Sequence, residues 1–70
     1  MNRINPKKLL HSKWTAVSPV NREKHFMITE MEFEEDVVVR CVLEAVMTKR
    51  ARDIDWHDLT DNSLWKMGWK

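Results

Sequence analysis

The stretch His25-Phe26-Met27-Ile28-Thr29-Glu30-Met31-Glu32-Phe33-Glu34-Glu35-Asp36-Val37-Val38-Val39-Arg40-Cys41-Val42-Leu43-Glu44-Ala45-Val46-Met47 decides the fold. On either side of its acidic centre, apolar residues fall at odd positions: Met27, Met31 and Phe33, then Val37, Val39, Cys41, Leu43, Ala45 and Met47. A period of two puts them on one face of a sheet, and the β-branched second half disfavours a helix. Two strands joined as a hairpin follow. If both point odd-numbered residues inward, opposed positions sum to an even number, so the loop has an odd number of residues. A three-residue connection, Glu34-Glu35-Asp36, then pairs Phe33 with Val37, Met31 with Val39, Thr29 with Cys41 and Met27 with Leu43, with Glu30 facing Arg40 outside. Such turns favour glycine or asparagine at the left-handed position, and this one has only acids, so strain is expected there.

Towards the C-terminus the parity changes. Ile54 and Trp56 are even-numbered, so pairing them with Met47 and Ala45 needs an even loop around Lys49-Arg50-Ala51-Arg52, and places Trp56 opposite Ala45 on the inner face. The acidic and basic tips of the two hairpins fall at opposite ends of the sheet. Asp61-Asn62-Ser63 offers N-cap chemistry, and Trp65 and Trp69 are four apart, so a short helix over 61–69, stopped by Gly68, is predicted as a lid on the sheet. Towards the N-terminus, Lys13-Trp14-Thr15-Ala16-Val17 reads as a strand, and Ser18-Pro19-Val20-Asn21 as its turn. Residues 1–12 form a basic arm, and 13–59 the meander. The fold expected over 1–70 is a single, mainly β domain: an antiparallel meander of about four strands, partly closed like an SH3-like barrel, with a short C-terminal helix.

Composition bounds the function. A chain of 70 residues buries only about 60% of the surface that its unfolded form exposes, so large side chains must carry the core. The 43% apolar content suffices for a folded domain. The lone Cys41 excludes an internal disulfide, the first ten residues lack the apolar run of a secretory signal, and no stretch approaches the roughly 20 residues of a membrane span. A cytoplasmic protein without a membrane partner is expected. The net charge of +1 hides segregated blocks. Arg3, Lys7, Lys8, Lys13, Arg22 and Lys24 face only Glu23 before residue 29, whereas Glu30, Glu32, Glu34, Glu35 and Asp36 follow without a cation. Blocks of this kind mostly neutralise one another across a folded surface.

No constellation for catalysis appears. The nearest two of His11, His25, Cys41 and His57 are 14 residues apart, far from zinc-ligand spacing, so neither a metal nor another cofactor is expected. Cys41 points inward between Val39 and Leu43, where its thiolate is disfavoured, so it does not pair with His25 or His57 as a nucleophile. Asp53, Asp55 and Asp58 lie on a solvated face opposite Arg50 or Arg52. One glycine cannot build a phosphate-cradling loop. An enzyme is not expected.

Two binding functions remain. A protein-interaction module, using an aromatic groove or an open strand edge, is the first. The alternative is a small barrel that stacks single-stranded RNA or DNA on exposed aromatics beside cations, with Lys13, Trp14, Lys24, Phe26, Arg50 and Arg52 as candidate ligand-binding residues. Of the four tryptophans, Trp56, Trp65 and Trp69 are assigned to the core. Trp14, between Lys13 and Thr15 in the most basic third, is the candidate for an exposed, ligand-facing indole.

Asn5-Pro6-Lys7-Lys8-Leu9-Leu10-His11-Ser12-Lys13-Trp14-Thr15-Ala16-Val17 resembles a family of small bacterial and cyanobacterial proteins known only as tryptophan-rich conserved hypothetical proteins. The likeness continues through Arg22-Glu23-Lys24-His25-Phe26, Leu43-Glu44-Ala45-Val46, Ile54-Asp55-Trp56, Trp65 and Gly68-Trp69, nearly the whole chain. The family often has a glycine in the connection where this chain has Glu34-Glu35-Asp36. The resemblance implies an intracellular single-domain protein and supplies no activity.

Overall fold

The computed structural model describes residues 1–70. It is mainly β, with strands β1 (Lys13–Val20), β2 (Glu23–Glu34), β3 (Val37–Ala45), β4 (Ala51–Asp53) and β5 (Trp65–Met67). They form one antiparallel sheet in the order β4-β3-β2-β1-β5. The two outermost strands are three residues each and are not paired with one another, so the sheet stays open instead of closing partly into a barrel.

The β2–β3 hairpin is present, but in a different register. Its loop is the two-residue turn Glu35-Asp36, with φ of 51° and 67°, the pattern of a type I′ turn whose twist matches that of the flanking strands. Two bulges absorb the parity. Thr29 is the extra residue on β2, between Ile28↔Leu43 and Glu30↔Val42, and Val39 is the extra residue on β3, between Glu32↔Arg40 and Phe33↔Val38. Each bulge reverses which side chains face inward. Phe26 and Ile28 therefore join Met31, Cys41, Leu43 and Ala45 at the core, while Phe33, Val37, Val39 and Met47 are exposed and Met27 is half-buried on the outer face. None of the four expected inner pairs forms. The Glu30–Arg40 partnership survives diagonally, with Arg40 Nη1 3.2 Å from Glu30 and 3.4 Å from Glu32, and Arg40 Nε 3.4 Å from Asp53. Exposed pairs of this kind add little to stability, because solvent screens them.

Both turn residues pay for left-handed backbone without glycine. Glu35→Asn combined with Asp36→Gly is expected to raise stability by about 1 kcal/mol. The measurement is the urea midpoint; a lowered midpoint would contradict a type I′ turn at this position.

At the other end of the sheet, β1 runs on to Val20 and turns at Asn21-Arg22, again with positive φ (56° and 64°), rather than over Ser18–Asn21. Pro19, which has no N–H to give, falls between Thr15 and Val20, where the ladder with β2 is interrupted. The β3–β4 loop is even, as parity requires, but it is Val46–Lys49, closed by the Ala45 N–H on the Arg50 carbonyl at 2.9 Å. Leu43 therefore faces Arg52, and Trp56 is not opposite Ala45. Trp56 opens a 3-10 turn, Trp56–Thr60, capped by the Asp55 carboxylate accepting from the His57 N–H at 3.0 Å.

No helix forms over 61–69. Trp65–Met67 pairs with Trp14–Ala16 as β5, because the free edge of β1 satisfies its backbone groups at once, whereas a helix of one or two turns must nucleate alone. Gly68, at φ 80°, then swings the tail across the outer face. Its N–H donates to the Lys13 carbonyl, and the Trp69 indole N–H donates to the Phe26 carbonyl at 3.0 Å.

The core holds Trp14, Phe26, Ile28, Cys41, Leu43, Ala45 and Trp65, closed at one end by Leu9 and Leu59. Ile4 packs against it, and the Asn2 side-chain amide donates to the carbonyls of Leu59 and Trp65, so the N-terminal segment is stitched to the body while its cations face outward. Trp14 is 1% exposed and Trp69 is 42% exposed, the reverse of the assignment from spacing. The Trp14 indole N–H donates to the Ser12 hydroxyl at 2.8 Å, and Phe26 meets Trp65 edge-to-face with ring centroids 5.1 Å apart.

Candidate binding groove

The six residues marked by sequence separate into three places. Trp14 and Phe26 belong to the core, with Phe26 showing 8% of its surface at the floor of a cleft. Lys13 is on the outer face, its Nζ 4.8 Å from the Trp69 ring, which also lies 5.9 Å from the His25 ring. Lys24, Arg50 and Arg52 gather at the turn end of the sheet, where the Val46 N–H bonds the His25 carbonyl and joins the β1–β2 and β3–β4 hairpins. No basic and aromatic stacking surface is assembled from the six. Alternation within β1 puts Trp14 inward and Lys13 outward, and this separates the pair.

Arg50, Arg52 and Phe26 do converge on a cleft of about 300 Å³, floored by Phe26 and Leu43 and walled by Val20. A second cleft of about 310 Å³, bordered by Ala16, Ile54, Leu64, Trp65 and Asp58, shares Val20 and Arg52 with the first. The two therefore make one groove, running between β4 and the second half of β1. Its position follows from the strands. β4 is too short to reach β1, and β1 has no β2 register partners between Thr15 and Val20, while β5 and Leu64 partner it only as far as Val17, so Ser18 and Pro19 at the seam are left without a ladder. Arg52 lies opposite inward-facing Leu43, which places a cation at the edge of an apolar floor. A third depression, beside the basic turns, is bordered by Arg22, Lys24, His25, Val46 and Met47.

Charge is strongly polarised along the sheet. The carboxylates at the acidic end and Arg40 make most of the ion pairs, and Lys7 reaches Asp36 at 3.7 Å. Arg22, Lys24, Lys49, Arg50 and Arg52 make none, and the nearby Glu23 carboxylate accepts instead from the Thr48 hydroxyl. At the far end Glu34 and Glu35 are likewise unpaired.

The remaining candidates for chemistry are elsewhere. Burial pushes the Cys41 thiol up to about 11, with the Asp55 charge adding to it, so it stays protonated at neutral pH. The Asp55 carboxyl is held below its usual range, first by the His57 backbone N–H and then by the His57 ring, whose Nδ1 lies 2.7 Å away. His57 is exposed and stacks at 4.0 Å on Trp56, which is half-buried against the core, and the pair borders no cleft of the groove. Asp53 faces Arg40 rather than Arg50 or Arg52. No three His, Cys, Asp or Glu side chains are grouped to hold a metal ion, and no helix is long and apolar enough to cross a membrane. Val20, Ile54 and Leu64, which border the groove, were not marked by sequence. Val20 carried a signal, an exposed β-branched residue directly after a proline.

The molecule is thus a small, open antiparallel β domain with one buried face and, at its seam, a groove with an apolar floor and a rim that carries Arg50 and Arg52 together with Glu23 and Asp58. A family model described as "Tryptophan-rich protein (DUF2389)" matches residues 12–70, and the chain belongs to that family. No curated protein and no solved structure matches it.

Proposed function

We propose that the chain is a non-catalytic binding module of the bacterial cytoplasm, and that it takes an extended protein segment in the groove between β4 and β1. The observation that carries this reading is the continuity of the two clefts past the free edge of β4 and the Ser18-Pro19 stretch of β1, which has no register partner on either side. An extended segment can add to such an edge through main-chain hydrogen bonds while alternate side chains enter the apolar floor. The strand order, with β5 returning to β1 after a 3-10 turn, fits an SH3-like meander left open at its seam.

Single-stranded RNA or DNA is the second reading, favoured by the five unpaired cations around the turns. It is the weaker one, because Phe26, the ring in the groove beside Arg50 and Arg52, is buried and cannot stack bases, a contact worth about 1–3 kcal/mol each, while the exposed Trp69 ring lies on the outer face against Lys13 and His25. Peptides selected from a random display library against the folded chain test the choice. They are expected to lose affinity at least about tenfold with Ile54→Lys and to be unaffected by Trp69→Ala. Selection of no groove-dependent peptide, together with salt-sensitive retention of oligonucleotides, would favour nucleic acid instead.

A further inference from the structure

The two ends of the sheet are complementary to one another. The β2–β3 tip presents unpaired Glu34 and Glu35 flanked by the exposed apolar side chains of Phe33, Val37 and Val39. The opposite end presents unpaired Arg50 and Arg52, which outnumber the one carboxylate of the cleft there, Glu23, held by the Thr48 hydroxyl, and exposed Val20 stands above the apolar floor of Phe26 and Leu43. These surfaces cannot meet within one chain. The longest dimension of the molecule is 37 Å, and the 12 residues of β2, at about 3.3 Å each, cover a comparable distance.

We propose that the groove receives the acidic β2–β3 hairpin tip of a second copy of this chain, so that copies join end to end. The proposal rests on the groove being a docking site and adds its occupant. A two-residue turn is the narrowest end a hairpin can have, and its strands lie only about 4.8 Å apart, so the tip can enter a seam that a broader loop could not. Carboxylates at its apex then meet the arginines at the rim, and Phe33 and Val37 follow towards Val20. With a net charge of only +1, overall repulsion between copies is weak, and the opposed ends decide how they approach. The contact is heterologous, and it therefore extends or closes a ring rather than stopping at a two-fold pair. It is also small against the roughly 800 Å² per partner of a stable interface, so assembly belongs in the range of about 0.1–1 mM.

Sedimentation velocity over that range tests it. The average mass is expected to rise with concentration at low salt and return to monomer near about 0.5 M salt, where screening shortens to a few ångströms. Glu34→Lys with Glu35→Lys, and separately Arg50→Glu with Arg52→Glu, should each give monomers; all four residues are exposed, and circular dichroism confirms the fold. Lysine is tolerated at positive φ in this chain, as Lys49 at 63° shows. Mixing the glutamate-reversed and arginine-reversed chains should restore association, because the first chain keeps an intact groove and the second an intact tip. A wild-type chain that is monomeric throughout, or assembly that persists in either double variant, overturns the proposal. If the chain is monomeric while display-selected peptides still occupy the groove, the occupant is wrong and the docking site stands. If neither peptides nor copies bind there, the docking site itself fails.

Discussion

Replacing Trp14 by alanine is expected to remove a large part of the chain's stability at 25 °C. The indole is 1% exposed, sits among Phe26, Trp65 and their neighbours, and has its one polar atom satisfied by Ser12. Truncating a buried aromatic to alanine costs about 3–5 kcal/mol. At about 0.05–0.15 kcal/mol per residue, a domain of this length has roughly 4–10 kcal/mol to lose. Urea unfolding followed by far-ultraviolet circular dichroism measures the effect. Trp14→Phe should fall between the two, since it keeps most of the apolar volume and frees the Ser12 hydroxyl. Trp69→Ala removes a partly exposed ring from the outer face and should cost much less, about 0.5–1.5 kcal/mol. A loss below about 1 kcal/mol for Trp14→Ala would mean that this indole is not in the core.

Leu59→Ala is expected to cost about 2–5 kcal/mol, the second large effect. Leu59 is fully buried although it belongs to a five-residue 3-10 turn rather than to the sheet, and its carbonyl accepts from the Asn2 side chain at 2.9 Å. It holds the segment between β4 and β5 against the end of the core. That segment supplies Asp58 and Leu64 to the border of the groove, so the loss should be local before it is global. Amide hydrogen exchange should speed up first at β5 and around Asn2, while the β2–β3 ladder keeps its protection until the whole domain opens. Leu64→Ala, at a 53% exposed neighbour, is the control and should change stability by no more than about 0.5 kcal/mol. Equal effects at the two leucines would contradict the role given to Leu59.

Much of the architecture was legible. The alternation from Val37 to Met47 gives β3, the acids and cations at successive turns mark opposite ends of the sheet, and Cys41, Leu43 and Ala45 face inward as their parity requires. The register was not legible, because a bulge at Thr29 or Val39 leaves no compositional mark, yet each inverts the faces beyond it. The Glu35-Asp36 turn was hidden for the same reason. Uniform parity on both strands demands an odd loop, and only the bulges allow a two-residue turn in which two acids take a glycine-favoured conformation.

Trp65 is in the core and Trp56 packs against it as expected, whereas Trp14 was misassigned from its basic surroundings and Trp69 from its spacing. Trp14 and Ala16 share a face of β1, with Lys13 and Thr15 on the other, and that pattern already made Trp14 a core residue. Trp65 and Trp69 look like a helical pair, but Gly68 breaks the strand between them and sends Trp69 to the outer face, beside Lys13 and His25. Of the candidate site, Arg50 and Arg52 could be found from charge alone. The groove between them and β1 could not, since it exists only because β4 stops after three residues.

An amide and indole NMR titration of the labelled chain with a display-selected peptide tests most directly whether recognition runs through the groove. The predicted result is a set of shifts centred on the amides of Val20, Arg52 and Ile54 and the indole of Trp65, with the Trp69 indole unmoved. Shifts centred instead on Trp69, Lys13 and Lys66 would place recognition on the outer face and contradict it.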